Sequence, residues 1–266
     1  MKIAIIGHGR MGRAVESIAR GRGHEIVAVI DADNHADIHS DAFRSADVAI
    51  EFSIPSQAAD NIIAAAAEGV RVVCGTTGWY DRKAEVDAAV NAASTALLAA
   101  TNFSIGVYVF NRLNRCLSRM MGNLADYHPE VTETHHIHKL DYPSGTAITI
   151  AESMVEENPR LKSWTCNGCI RHDKDVTDVM EQIAEAGQRL DETPDDIVPI
   201  LAIREGEVPG THTVIWQSEI DSIEITHEAN SREGFALGAV VAAEWIADRK
   251  GVFTIDDCMN SILSPR

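Results

Sequence analysis

Residues 133–147 read ETHHIHKLDYPSGTA, which places three histidines, a lysine, an aspartate and a Pro-Ser-Gly-Thr turn in fifteen positions. Three chemistries suit that set. In an extended segment His136 and His138 share a face and could chelate one ion. A third ligand would then be Asp141 or something distant, and the helical HExxH signature is absent. His135 and Lys139 share a face in helix or strand, being four residues apart. An ammonium beside an imidazole makes a cationic patch with exchangeable protons, suited to a dianionic substrate. Pro143, Ser144, Gly145 and Thr146 lead into a helix whose first N–H groups form a nest for a carboxylate. The third reading is a solvated polar strand with a capped helix after it. On residue types, the anion clamp with proton transfer ranks first, the polar loop second and metal third.

A second chemical signature opens the chain. The apolar run KIAII is followed at once by Gly7-His8-Gly9-Arg10-Met11-Gly12, then by a helical pattern and a β-branched run ending in Asp31. Strand, glycine turn, helix, strand and acid make a βαβ unit of dinucleotide-binding type. Gly7 permits the tight turn, Gly9 lets the backbone approach a pyrophosphate, and Gly12 lets helix and strand pack closely. Asp31 would accept hydrogen bonds from the adenosine ribose. Its carboxylate would repel a 2′-phosphate, and Ala32-Asp33-Asn34 supply no cation to hold one, so the spacing leans toward NAD(H). CGTTG (residues 74–78, with Gly75, Thr76 and Thr77) and TNFS (Thr101, Asn102, Phe103 and Ser104) stand at predicted strand ends on the same side. Their small residues and hydroxyls could line a nicotinamide and its ribose.

The elements that must position these groups follow from periodicity. Up to Ser104, short apolar runs alternate with Ala-rich helical stretches, predicting a doubly wound parallel sheet with its ligand loops at the carboxyl ends of the strands. Beyond it come a long helix, an extended segment entering residues 133–147, and a helix ended by Pro159. Three β-branched runs with short turns then predict an α+β unit with a mixed or antiparallel sheet. The expected division is 1–105 with 233–266 for the nucleotide, and 106–232 for the substrate and oligomer contacts.

Composition bounds the partners. The chain has 266 residues, 45% of them hydrophobic, with a net charge of −17 and a pI near 5.0. Nucleic acid and anionic membrane are therefore not the default partners. No apolar run approaches the length of about 18 residues that a membrane span needs, and the first residues lack the apolar core of a secretory signal. Five scattered cysteines read as reduced thiols of a cytoplasmic protein. Cys166-Asn-Gly-Cys169 has the spacing of half a zinc site, but no second CxxC completes it, and its Asn-Gly pair reads as a turn. The acidic stretch 191–196 reads as a solvated loop.

With those residues in view, the chain resembles the dihydrodipicolinate reductase family, also called 4-hydroxy-tetrahydrodipicolinate reductase, of the diaminopimelate route to lysine. The carriers are GHGRMG, CGTTG, TNFSIGV, ETHHIHKLDYPSGTA, EGEVPGTHTV and IEITHEANSREGFALGA, in the family's order. The resemblance implies a two-domain oxidoreductase, a homotetramer, that reduces a cyclic dicarboxylate with NADH or NADPH. It implies that His135 and Lys139 are the proton-handling residues, and that His136, Ser144, Gly145 and Thr146 bind the substrate carboxylates, with Arg232 in the hinge or substrate region. It places the cofactor on Gly7, Gly9, Arg10, Met11, Gly12, Asp31, Gly75, Thr76, Thr77, Thr101, Asn102, Phe103 and Ser104, with no metal, and folds the last helix back on the nucleotide domain. The glycine loop is one residue shorter than the family's common GxGGRMG. Ala32 stands where some members carry an arginine favouring NADPH.

Overall fold

The computed structural model describes residues 1–173, 176–231 and 233–263. Two compact units make up the chain: Met1–Ile105 with Glu233–Arg266, and Gly106–Arg232.

The first unit contains β1 (Lys2–Ile6), α1 (Arg10–Gly21), β2 (Glu25–Ile30), α2 (Asp41–Arg44), β3 (Val48–Glu51), α3 (Pro55–Ala67), β4 (Arg71–Cys74), α4 (Lys83–Ala92) and β5 (Ala96–Ala99). Its strands are almost continuously apolar because helices cover both faces of their sheet. Ile3, Ala4, Val48, Ala49, Val72, Val73, Leu97 and Leu98 have no accessible surface. Near the end of the chain, α8 (Glu233–Ile246), β11 (Gly251–Phe253) and α9 (Ile255–Leu263) complete the unit. All pairings are parallel, in the order β11-β5-β4-β3-β1-β2. The strand order reverses between β1 and β3, and ligands of such sheets bind outside the carboxyl ends at that point. The resulting doubly wound sheet is the one the alternation predicts.

The second unit contains α5 (Ile105–Met121), β6 (His128–His135), α6 (Gly145–Glu157), β7 (Ser163–Arg171), α7 (Val176–Asp191), β8 (Ile197–Arg204), β9 (Thr211–Gln217) and β10 (Ser222–Glu228). Its five strands run in the order β10-β9-β6-β8-β7. β8 is parallel to both β6 and β7, while β6, β9 and β10 are successively antiparallel, so the sheet is mixed. Val131, Val198, Ile200, Val214 and Trp216 pack with Ile150, Ala151 and Met154 of α6 and Phe110 and Met121 of α5.

Three local expectations are corrected. Asn167-Gly168, expected as a turn, lies inside β7 as a bulge, with Gly168 at φ +128°. Helix α7 stands where the expected order of elements has none, although Val179, Ile183 and Ala186 recur at helical spacing. The extended segment ends at His135, and a turn follows at Ile137 and His138. His135 and Lys139 therefore share neither a strand face nor a helix face. The turn, rather than a common periodicity, sets their relative position.

Candidate active site

Alternation along β6 turns Pro129, Val131 and Glu133 inward. It thereby sets a carboxylate in a row otherwise apolar, with Glu133 fully buried. The same alternation in β8 carries Val198, Ile200, Ala202 and then Arg204 inward, and Arg204 is also fully buried. Register places His135 opposite Arg204 and Glu133 opposite Ala202 on one side and His212 on the other. Arg204 Nη2 donates to Glu133 Oε1 at 2.9 Å. Buried charges persist only when paired and hydrogen-bonded, and here each is the other's counter-ion.

Glu133 serves three neighbours. Oε1 also accepts from the Ser144 backbone N–H at 3.3 Å, and Oε2 accepts a short hydrogen bond from Nδ1–H of His135. Burial pushes its carboxyl up, but the hydrogen bonds from His135 and Arg204 outweigh that and hold it below the usual carboxylate range. The carboxylate is thus an acceptor only, which assigns the His135 proton to Nδ1. Ser144 is the N-cap of α6: its Oγ accepts from Ala147 N at 3.2 Å and contacts His212 Nε2 at 3.1 Å. Burial and the neighbouring His135 push the His212 imidazole down to about 4, so it is neutral at ordinary pH. The His135 and His212 rings meet edge to face, with centroids 5.2 Å apart.

The loop after β6 hangs on the same arginine. Arg204 Nε donates to Lys139 O at 3.2 Å, Nη2 to Asp141 O at 2.8 Å and Nη1 to Ile203 O at 2.7 Å. Lys139 Nζ reaches Asp141 Oδ2 at 2.6 Å, and this hydrogen bond holds the Asp141 carboxyl below its ordinary range. Gly145 and Thr146 open α6, where the first N–H groups of a helix have no partner within it. His136 adjoins this loop, its ring 6.0 Å from that of His138. His138 turns away to an exposed contact with Glu207 at 3.0 Å. Arg232 lies outside the described residues.

Metal-type donors do converge here, but not the trio of neighbouring histidines. Atoms of Glu133, His135 and His212 lie within 4.8 Å of one another. Both Glu133 oxygens already accept hydrogen bonds, one of them from a buried guanidinium, so the set is organised around protons.

In the first unit, the glycine loop has the geometry a pyrophosphate requires. Gly7 has φ +87°, and a Cβ there would lie 2.3 Å from Phe52 O, while one on Gly12 would lie 2.0 Å from Gly7 O. Gly9 meets nothing within 4 Å and is the N-cap of α1, which has no side-chain cap and no acid in its first turn. An open helix N-terminus without its own anion suits a phosphate. Arg10 and Met11 begin α1. Asp31 follows β2 on the surface; its Oδ1 accepts from Ala32 N at 2.9 Å, and Asn34 Oδ1 accepts from Asp31 N at 2.7 Å. After β4, a Cβ on Gly75 would lie 2.1 Å from the Phe52 ring, Thr77 is exposed, and Thr76 Oγ1 is buried with no hydrogen-bond partner among the described residues. After β5, Thr101 is exposed, Asn102 Oδ1 accepts from Ser104 N at 2.8 Å, and Phe103 is buried with its carbonyl against Gly238. These loops all leave the carboxyl side of one parallel sheet, and an orphaned hydroxyl together with an open glycine cradle fits a dinucleotide.

The two halves of the chain each match a known family. Residues 1–103 match the model described as dihydrodipicolinate reductase, N-terminus, and residues 106–259 the one described as dihydrodipicolinate reductase, C-terminus. The chain belongs to the dihydrodipicolinate reductase family. It is 44% identical over 264 residues, 98% of this chain and 99% of the other, to a 4-hydroxy-tetrahydrodipicolinate reductase of Christiangramia forsetii. A protein of the same name from Archaeoglobus fulgidus is 34% identical over 97% of this chain and 99% of the other. Among solved structures, a dipicolinate-bound dihydrodipicolinate reductase from Paenisporosarcina sp. TG-14 has the same fold, with a TM-score of 0.70 at 21% identity over 96% of this chain and 97% of the other.

Membership makes the chain an oxidoreductase that uses a nicotinamide cofactor and acts on a small molecule. No helix among the described residues is long and apolar enough to cross a membrane. Glu133, Arg204 and His212 carry much of the site's geometry, yet sequence reasoning gave them no role. The available signal was a charge at an inward position of an otherwise apolar strand: Arg204 after Val198, Ile200 and Ala202.

Proposed function

We propose that the protein reduces 4-hydroxy-tetrahydrodipicolinate to tetrahydrodipicolinate, in lysine and diaminopimelate biosynthesis, with NADH as the favoured cofactor. The observation that carries this reading is the meeting of an imidazole, an ammonium and an open helix N-terminus within ten residues, His135 to Ser144, of a chain of this family. A bound reduced nicotinamide supplies the hydride that C4 of the substrate receives as its hydroxyl leaves as water. The Gly145 and Thr146 N–H groups, with Ser144 and His136, hold the substrate carboxylates at the start of α6. Lys139 Nζ, released from Asp141 by an incoming carboxylate, stabilises developing negative charge and donates a proton. His135 exchanges its proton through the ring nitrogen that Glu133 does not hold.

The glycine loop with Arg10 and Met11 takes the pyrophosphate, residues 75–77 and 101–104 the nicotinamide end, and Asp31 the adenosine ribose. Asp31 supports NADH: its carboxylate repels a 2′-phosphate, and residues 32–37 contain no lysine or arginine. A coupled assay that generates the substrate from pyruvate and aspartate semialdehyde, run with each cofactor, tests the reading. Oxidation of NADH faster than of NADPH, and a rise in NADPH use in Asp31→Ser, are expected. No cofactor oxidation with either would overturn it. A homotetramer in the cytoplasm belongs to the same proposal, and light scattering of the pure protein checks the assembly.

A further inference from the structure

One guanidinium touches the supports of both proton-handling residues. Arg204 Nη2 holds Glu133 Oε1, whose other oxygen holds His135 Nδ1, and the same arginine donates to the carbonyls of Lys139 and Asp141. The three residues it reaches lie on two different pieces of chain, a strand end and the loop beyond the turn, 63 to 71 positions away in sequence. Nothing in the reaction calls for a fully buried arginine unless it positions something. A purely structural ion pair here is a poor stabiliser, since two apolar side chains of equal volume hold a sheet as well or better.

We propose that Arg204 and Glu133 are the positioning pair of this site, fixing His135 with its proton on Nδ1 so that Nε2 is the exchanging nitrogen, while Arg204 sets the backbone that carries Lys139. The inference rests on the assignment of His135 and Lys139 to proton handling. Carboxylate support of an imidazole through Nδ1 fixes the tautomer and ring orientation and stabilises the imidazolium once it forms. Arginine rather than lysine is required because its planar fork presents donors in several fixed directions at once. Each of its three nitrogens is used: Nη2 on Glu133 and Asp141 O, Nε on Lys139 O, Nη1 on Ile203 O. Gly210 keeps the remaining His135 nitrogen reachable, since a Cβ there would lie 3.1 Å from Nε2. The charged and titratable groups about His135 are Glu133 on its own strand, Arg204 on β8, His212 on β9 with His227 beyond it on β10, and Lys139 with Asp141 in the loop. Of these, only Glu133 contacts the His135 ring nitrogens by a hydrogen bond.

The test uses the full-length enzyme, its ¹⁵N-histidine-labelled form, and the variants Glu133→Gln, Arg204→Lys and the pair E133Q/R204M. The pair removes both buried charges together, which spares the fold the stranded charge that either change alone leaves. In the wild type, long-range ¹H–¹⁵N spectra are expected to show His135 protonated at Nδ1 when neutral. In E133Q/R204M that preference is lost, and kcat falls on the order of 100-fold while KM for NADH and NADH binding stay within about twofold. Arg204→Lys keeps a cation beside Glu133 and so keeps the tautomer, but frees the Lys139 and Asp141 carbonyls and lowers kcat. A folded E133Q/R204M with near-native kcat would overturn the proposal, as would an Nε2–H tautomer in the wild type. The tautomer measurement needs neither substrate nor turnover, so it decides the matter even if the variants do not fold. It also separates failure of the positioning pair from failure of the assigned substrate, which appears instead as a wild-type enzyme without turnover.

Discussion

Gly210 stands so close to His135 that a Cβ on it would lie 3.1 Å from Nε2, and its φ of +155° is one that side-chain-bearing residues rarely adopt. Replacing it by alanine should press on the one His135 nitrogen that Glu133 leaves open. Gly210→Ala is expected to lower kcat on the order of tenfold through misplacement of the imidazole, and to cost about 1–3 kcal/mol of stability through backbone strain. Steady-state kinetics and thermal unfolding read the two effects separately, and native kcat with lowered Tm would remove Nε2 from the chemistry.

Lys139 is held by Asp141 at 2.6 Å, and Asp141 is largely exposed. A substrate carboxylate must displace that contact. Asp141→Asn removes the competitor, so KM for the dicarboxylate should fall severalfold, with the gain shrinking as salt is raised from low ionic strength. A KM unchanged at low salt would mean that Lys139 does not bind the substrate.

His212 makes the acid limb of stability predictable. Its imidazole is pushed down to about 4 in the folded protein, chiefly by burial. Above pH 6.5 it is neutral in both states and contributes no pH dependence. As pH falls from 6.5 toward 4, the unfolded chain takes up a proton that the folded one does not, so stability is lost by up to about 3 kcal/mol. His227 acts in the same direction, since burial lowers it too. His212→Asn should flatten urea-unfolding free energies across that window, and an equally steep decline would assign the loss elsewhere.

Gly12 packs against the Gly7 carbonyl, where a Cβ would sit 2.0 Å away. Gly12→Ala must therefore open the turn between β1 and α1 and misalign the N–H groups meant for phosphate. NADH affinity, followed by its fluorescence, should drop at least tenfold, or about 1.4 kcal/mol. The second unit's His135–Glu133 contact should be unaffected in its ¹⁵N spectrum.

The parallel sheet was legible in the sequence because strands covered on both faces are written as unbroken apolar runs, each followed by its own glycines. KIAII before GHGRMG and RVVC before GTTG are of that kind. The mixed sheet was legible only in part: β8, β9 and β10 alternate clearly, but β7 carries Cys166, Asn167 and Gly168, whose types read as a turn and whose bulge is a product of pairing with β8. The site shows the same limit. His135, Lys139 and Ser144 could be chosen from one short stretch, whereas Glu133 and Arg204 find each other through strand register across 71 positions. Their charges look like interruptions of an apolar pattern until the neighbouring strand is known.

The order of the chain also dictates an order of manufacture. The edge strand β11 pairs with β5, and α8 packs on α1, β3 and β4, though both lie beyond the second unit in sequence. A nascent chain that has made β5 must wait roughly 150 residues, on the order of 10–30 s at ordinary ribosome speeds, before the sheet it began can be finished. The second unit meets no such delay, because all its strands are contiguous. The part of the protein translated first is therefore the part completed last, and its edge at β5 stays unpaired until β11 is made.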